Sequence, residues 1–383
     1  MQALTQALSD SKKKKYLDTL MYILRARRPA RTNDDAPYAS NWTKGLLDSL
    51  SIPFNTDEFG NLSVDMRGGV STIAFTCHTD TVESFWLAPS LRRLAPPTAE
   101  MEWAQTPRQL AYMQDDLYPN DETAYRVVLT DPSQDDCLGA DDGAGMALML
   151  AMIQEGVKGL YIFFADEESG RIGSEGMSRT QPEMLQGLTH MLSFDRRDAD
   201  IVTSQMGMPC VSDELAETLV ERLSTETVLY HLAAGSYTDS ASFMQTVYEC
   251  GNIGVGYRDE HSGYESLSLT IWVNLLEKCV QQATWEGLPH RETFAELPRW
   301  QSGLLTMTGP RSLTELLDEV GDMGLHDIVE YVQDYPEHIA AFLTLCAEGR
   351  RECIIKDCQV AEDKLGYSLG DLVDLQTGAD RLW

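Results

Sequence analysis

Positive charge is scarce in this chain. Its 30 Lys and Arg stand against 60 Asp and Glu, a formal net charge of −30 at pH 7. Nucleic acid and anionic membrane repel such a chain, so neither is expected as a partner. The acidity reads first as a solubility device and second as a means of attracting cationic substrates. Long apolar runs are missing: none approaches the roughly 18 residues that a membrane span needs. Met1 to Asp10 carries no apolar core of a secretory leader, and Lys12-Lys13-Lys14-Lys15 reads as a solvated helix face. The eight cysteines form no C-x-x-C pair. They are expected to be reduced thiols, as in a cytoplasmic protein. Cys353 and Cys358 have no histidine near them, so no structural zinc is expected there. Internal repeats and low-complexity tracts are absent as well.

What is present is an ordinary globular composition, 43% apolar and 8% aromatic over 383 residues. That length holds one large domain, or one domain with an appendage. Helical periodicity runs over 13–28 and 38–50, and Asp57 to Asn61 reads as a turn between two short strands. Thr72 to Cys77 reads as a buried strand ending on His78. Residues 82–135, rich in Pro, Gln and Asp, read as an insertion or long loop with one strand at 125–130. An apolar helix at 143–154 then leads to a strand, Leu160 to Ala165, and the acids Asp166-Glu167-Glu168 follow directly. Met191 to Phe194 is a strand ending on Asp195. Helices at 212–224, 240–249 and 267–283, a polar loop at 235–239 and a strand at 252–257 complete the pattern. Alternating strands and helices predict a three-layer α/β/α fold with a mixed central sheet. From about 296 onward the chain predicts only short amphipathic helices, among them Leu325 to Cys346 and Val360 to Leu375, with a capping-box signature at Ser312. The expected division is therefore a catalytic domain over 1–295 and a helical region over 296–383.

In open α/β sheets, ligands gather at the carboxyl ends of strands. Three clusters of acids or histidine fall at predicted strand ends, and Asp141 opens a helix. Taken singly, each has a bland reading. Asp166-Glu167-Glu168 suits a helix N-terminus, where acids meet the positive end of the dipole. Asp141-Asp142-Gly143 suits a turn, Asp195 suits a pair with Arg196 or Arg197, and His261 suits the surface. Taken together, they satisfy a chemical requirement. Zinc takes imidazole nitrogen and carboxylate oxygen, and two ions about 3.5–4 Å apart need a bridging carboxylate. His78, Asp141, Glu168, Asp195 and His261 supply those ligands. Glu167 is left to accept a proton, and Asp80 to orient His78 by accepting its second ring N–H.

The stretches Phe75-Thr76-Cys77-His78-Thr79-Asp80, Leu138-Gly139-Ala140-Asp141-Asp142-Gly143 and Ala165-Asp166-Glu167-Glu168-Ser169-Gly170 resemble the zinc-dependent exopeptidase superfamily. That group includes peptidase T, carboxypeptidase-G-like enzymes and bacterial leucyl aminopeptidases. The late histidine, His261, follows a glycine-rich strand and is trailed by Glu265, as in the aminopeptidase branch. The resemblance spans roughly 15–285. It implies Asp141 as the bridge between two metals, His78 on one and His261 on the other, Glu168 and Asp195 as terminal carboxylates, and Glu167 as general base. The interval from Asp195 to His261 is too short for the lid and dimerisation domain of the peptidase-T-like branch. The loop Gly235 to Ser240 suits the aminopeptidase branch, where such a loop borders the substrate pocket and would bring Tyr237 to it.

The expectation is a di-zinc aminopeptidase acting on small peptides, with Co2+ or Mn2+ as alternative metals. A carboxypeptidase or an N-acyl amino-acid amidohydrolase stays open, because such enzymes need an arginine for the substrate carboxylate and Arg258 lies close to His261. A catalytically inactive binding or regulatory module on the same fold is the third reading. Region 296–383 is expected to pack on the catalytic domain or to join subunits into a homo-oligomer.

Overall fold

The computed structural model describes residues 11–30, 38–82, 106–133, 135–205 and 207–294. Expectations for Ser312, for the helices beyond 296, and for Cys353 and Cys358 lie outside these residues. Helices α1 (Ser11–Arg25) and α2 (Tyr38–Ser49) precede the short strands β1 (Asn55–Thr56) and β2 (Leu62–Asp65). Then follow β3 (Ile73–His78), β4 (Leu110–Gln114), β5 (Tyr125–Leu129), α3 (Ala140–Glu155), β6 (Leu160–Phe164) and α4 (Ile172–Thr180). Next are β7 (His190–Arg197), β8 (Asp200–Gln205), β9 (Met208–Pro209), α5 (Asp213–Leu223) and β10 (His231–Gly235). A 3-10 turn at Asp239–Phe243, β11 (Glu249–Arg258), β12 (Ser266–Ser268), α6 (Leu269–Cys279) and α7 (Gln282–Trp285) close the order. The expected α/β fold with a mixed sheet is what forms.

The sheet runs β1-β2-β6-β3-β7-β11-β12-β5-β4, with β8, β9 and β10 branching from β11. Its centre is parallel: β6, β3, β7 and β11 pair side by side in one direction. Parallel strands are covered on both faces, so they are apolar runs rather than alternations. Accordingly every residue of β3 and β6 is buried. The registers Cys77 with Phe163, His78 with Phe164, Thr76 with Ser193 and Asn252 with Ser193 bring the carboxyl ends of these strands level. That edge carries the site.

Helix α3 lies between the sheet and α1, and it is buried from Ala140 through Ile153. Its sequence is apolar all round, as an interior helix must be. Gly156 ends it in a left-handed conformation, donating back to Ile153 and Met152, a cap that glycine adopts without steric cost. Ser212 and Ser268 cap α5 and α6 by accepting the amides of Leu215 and Ile271. Phe75 sits at the core, 4.8 Å from the Trp285 ring and 5.3 Å from Tyr161. No helix of the described residues is long and apolar enough to cross a membrane.

Three readings of the sequence are corrected. The stretch 82–135 contains a second strand, β4, which pairs with β5 and extends the sheet through β12. Its outer position leaves Tyr112 and Met113 exposed, so it lacks the buried run that marks the central strands. The helix expected at 240–249 is only the 3-10 turn, because the chain turns back at Phe243, whose carbonyl accepts from Thr246 and Val247, to enter β11. The helix expected at 267–283 is split into β12, α6 and α7.

Close approach of α3 to β7 requires a glycine. A Cβ on Gly145 would lie 2.4 Å from the Phe194 carbonyl oxygen and 2.3 Å from Asp142 Oδ1. Gly145→Ala should therefore lose about 1–3 kcal/mol by overpacking, read from the midpoint of a urea unfolding curve. An unchanged midpoint would mean that α3 and β7 are not this close.

Candidate metal centre

Five of the side chains singled out in the sequence meet at the level end of the parallel strands. His78 is the last residue of β3, and Asp195 lies near the end of β7. Asp141 stands at the start of α3, and Glu168 on the loop after β6. His261, just past β11, takes a left-handed backbone conformation with φ 60°. The two oxygens of Asp141 face different histidines. Oδ1 is 2.9 Å from His78 Nε2, and Oδ2 is 3.2 Å from His261 Nε2. Asp195 Oδ1 lies 3.6 Å from His78 Nε2, and Glu168 Oε1 lies 3.1 Å from His261 Nε2. Two trios result, His78 with Asp141 and Asp195, and His261 with Asp141 and Glu168. Within each, one donor atom per residue lies within 4.8 Å of the others. Glu167 joins a third such group with His78 and Glu168.

The surrounding atoms hold these groups in place. Arg28 is wholly buried, and its guanidinium donates to the carbonyls of Ile23, Thr79 and Gly139. It thereby ties the end of α1 to Thr79, just after His78, and to Gly139, just before the start of α3 that carries Asp141. The Asp142 carboxylate accepts from the amides of His78 and Gly145 at 3.1 and 3.0 Å, and the Asp141–Asp142 peptide is cis. Asp195 accepts from Thr238 Oγ1 at 2.5 Å and from Tyr257 Oη at 3.0 Å. Its amide donates to Asn252 Oδ1, and the Asn252 amide group donates back to its carbonyl.

Asp80 acts differently from the expectation. The Nδ1 of His78 meets the main-chain carbonyl of Asp80 at 3.0 Å, whereas the Asp80 carboxylate is 3.7 Å away. That carboxylate instead accepts the amides of Glu167 and Glu168, each at 3.0 Å. One residue thus orients His78 with its backbone and fixes the Glu167–Glu168 loop with its side chain.

Electrostatically the cluster is a set of acids, with Asp141 and Asp239 buried and Glu167, Glu168 and Asp195 half-buried. Among the described residues, no Lys or Arg pairs with Asp141, Glu167, Glu168, Asp195 or Asp239. Burial pushes Glu167 well above the usual carboxylate range, and Glu168, Asp239 and Asp195 add to the rise. Glu168 and Asp195 are raised as well, by burial first and by Asp141. Asp239 is pushed up to about 7, chiefly by burial. Asp141 runs the other way: burial raises it, but hydrogen bonds from His261 and His78 outweigh that and hold it below the usual range. Both histidines are raised by the acids around them despite burial.

Two further sequence candidates are placed otherwise engaged. Arg258 pairs with Asp198. The Tyr237 ring lies under the Arg171 guanidinium, 4.7 Å from its centroid, next to Thr238 in the chain. The residues whose roles sequence reading missed are the supports Asp142, Thr238, Asn252 and Tyr257 and the further buried acid Asp239. Asp142, Thr238 and Asp239 carried a signal, since they lie in the Asp141-Asp142-Gly143 stretch and the Gly235–Ser240 loop already singled out.

The donor set fits a pair of divalent cations. Each trio offers one imidazole and two carboxylates, the trios share Asp141, and the clustered acids want positive charge. No family profile matches the chain, and no curated protein matches it. Solved structures do. The TET1 peptidase of Pyrococcus horikoshii, described as assembling into a tetrahedron or a large octahedral shell, superposes with TM-score 0.50 at 13% identity, over 71% of this chain and 99% of its own. The aminopeptidase PepT of Bacillus cereus gives 0.49 at 14% identity, over 71% and 98%. An aminopeptidase from the archaeon Desulfurococcus kamchatkensis gives 0.49 at 14%, over 78% and 99%. The likeness to the TET1 peptidase is one of fold.

Asp80→Asn replaces one of two acceptor oxygens by an NH2 group that faces an amide N–H. The Glu167–Glu168 loop should loosen, and cation affinity at the His261 trio should fall about 10–100-fold, as for other supports of metal ligands. Calorimetric titration with Zn2+ reads this directly. Wild-type affinity in the variant would contradict the role given to Asp80.

Proposed function

We propose that this chain is a metal-dependent hydrolase that cleaves amide bonds, and specifically a di-zinc aminopeptidase acting on small peptides. The observation that carries the reading is the shared carboxylate: Asp141 presents one oxygen to His78 and the other to His261. The sharing is what a two-metal hydrolytic site requires. The ligands would be His78, Asp195 and Asp141 for one cation, and His261, Glu168 and Asp141 for the other. Zinc suits this nitrogen and oxygen set, as Co2+ or Mn2+ also would.

When bound, the cations supply a water acidified toward neutral pH and Lewis-acid polarisation of the scissile carbonyl. The chain's own residues do the rest. Glu167, grouped with His78 and Glu168, is the general base: it takes a proton from the attacking water and hands it to the leaving amine. Asp80 keeps Glu167 in position through its amide, and Tyr237, beside Thr238 in the chain and under Arg171, would border the substrate.

The amino-terminal specificity rests on charge. A free α-amine suits an acid-lined site, whereas a substrate carboxylate needs an unengaged cation. Arg258, the candidate for that task, is tied to Asp198. A carboxypeptidase or N-acyl amino-acid amidohydrolase is therefore the second reading. The discriminating experiment is a screen of amino-acid arylamides, free dipeptides and N-acyl amino acids against the zinc-, cobalt- and manganese-loaded protein. Arylamide hydrolysis supports the proposal, and hydrolysis of N-acyl amino acids alone reverses it. Absence of any hydrolysis in a cation-loaded protein favours a binding module.

Two variants test the assignment of roles. Glu167→Gln should bind cations normally and lose about 10²–10⁴-fold in kcat, and near-normal turnover would refute the base. Asp141→Ala should lose both cations, while His78→Ala and His261→Ala should each chiefly weaken one. Elemental analysis of the three proteins decides, and equal single-ion losses in all three would remove Asp141 as bridge. The proposed catalytic unit is 1–295, since every ligand precedes residue 296. A protein lacking 296–383 should still bind two cations. Its mass in solution then tests whether that region joins subunits.

A further inference from the structure

Glu265 is a wholly buried carboxylate with no place in the chemistry above. Its two oxygens accept two main-chain amides from one loop: Oε2 takes Gly139 N–H at 2.8 Å, and Oε1 takes Asp141 N–H at 2.9 Å. Gly139 and Asp141 flank the turn into α3, and Gly139 has φ +74°. The cost of burying a carboxylate is offset by such charge-assisted bonds. Glu265 also lies four residues after His261 on the segment between β11 and β12. Its own amide bonds to the Ser262 carbonyl, closing that segment into a turn. One side chain therefore joins the segment that presents His261 to the residue that presents the shared carboxylate. Arg28 pulls on the same loop from the other side, through the Gly139 carbonyl.

We infer that Glu265 is the positioning residue for the shared carboxylate, and that through it the two cation sites become interdependent. The inference rests on the proposed two-cation site. An Asp141 free to rotate or shift could serve either histidine. Held at its amide by Glu265, it is placed to serve both, and its placement moves together with His261. A cation on the His261 trio then pre-forms the bridge for the other trio, and binding at one site strengthens binding at the other, as reciprocal coupling requires.

Glu265→Gln tests this. Glutamine has one acceptor oxygen, and its NH2 would confront the second amide N–H, so one of the two bonds must break. In calorimetric titration with Co2+, the wild-type protein should take up two cations per chain. The variant should take up one as before and bind the second about 10–100-fold more weakly. Its visible Co2+ spectrum at two equivalents should shift toward that of a singly loaded site, a change that a loss of stability alone does not make. Two-cation binding with wild-type affinity and spectrum in the variant overturns the inference while leaving the proposed function standing. A wild-type protein that binds no divalent cation overturns both. Should Glu265→Gln fail to fold, hydrogen exchange in the wild-type protein decides instead. On adding Co2+, peptides covering 137–143 and 259–267 should gain protection together. Protection gained by only one of them overturns the inference.

Discussion

Asp141 must face two ways at once. Its carboxylate has to present one oxygen to His78 and the other to His261, and those histidines come from opposite parts of the chain. His78 arrives on a central parallel strand. His261 arrives after β11, the longest strand among the described residues, on a segment with two residues, Asp259 and His261, in left-handed conformation. The start of α3, which presents Asp141, is fixed from several directions. Arg28 takes its carbonyl side, and Asp142 spans from the β3 amide to the helix amide. Even the glycine at 145 follows from this, because α3 must enter close against β7 to deliver Asp141 at the strand ends.

The second constraint is charge. Several largely buried acids lie together, and among the described residues no lysine or arginine is ion-paired with Glu167, Glu168 or Asp195. Burial and mutual repulsion push Glu167, Glu168 and Asp195 upward. Such a cluster costs folding energy unless protons or cations neutralise it. Imidazoles answer part of that demand, and both are driven toward their protonated forms by the acids. The same nitrogen atoms serve a metal or a proton, never both at once. The centre thus favours positive charge over an emptied, anionic state, a property that suits tight cation binding.

Much of this was legible in the sequence because strand ends are legible. The runs Ile73 to Cys77 and Leu160 to Phe164 are continuous and apolar, so the residues that follow them fall at the sheet edge where ligands collect. His78, Glu167, Glu168 and Asp195 were found that way, and Asp141 by the apolar helix it opens. The supports were not legible. Asn252 reaches Asp195 because β11 lies beside β7 in a particular register, and Tyr257 and Thr238 reach it through the same neighbourhood. Register between distant strands leaves no local pattern. The orienting atom on Asp80 was missed for another reason: residue type announces a side chain, and here the main-chain carbonyl does the orienting. Strands β4, β8 and β10 escaped because they are short or partly exposed, without the buried run of the central strands.

The central claim is that one carboxylate serves two cations. Anomalous X-ray scattering at the zinc edge, from crystals of the zinc-loaded protein, measures it most directly. The account predicts two peaks per chain about 3.5–4 Å apart, with Asp141 between them, His78 on one and His261 on the other. A single peak, or two peaks that do not share Asp141, would contradict it.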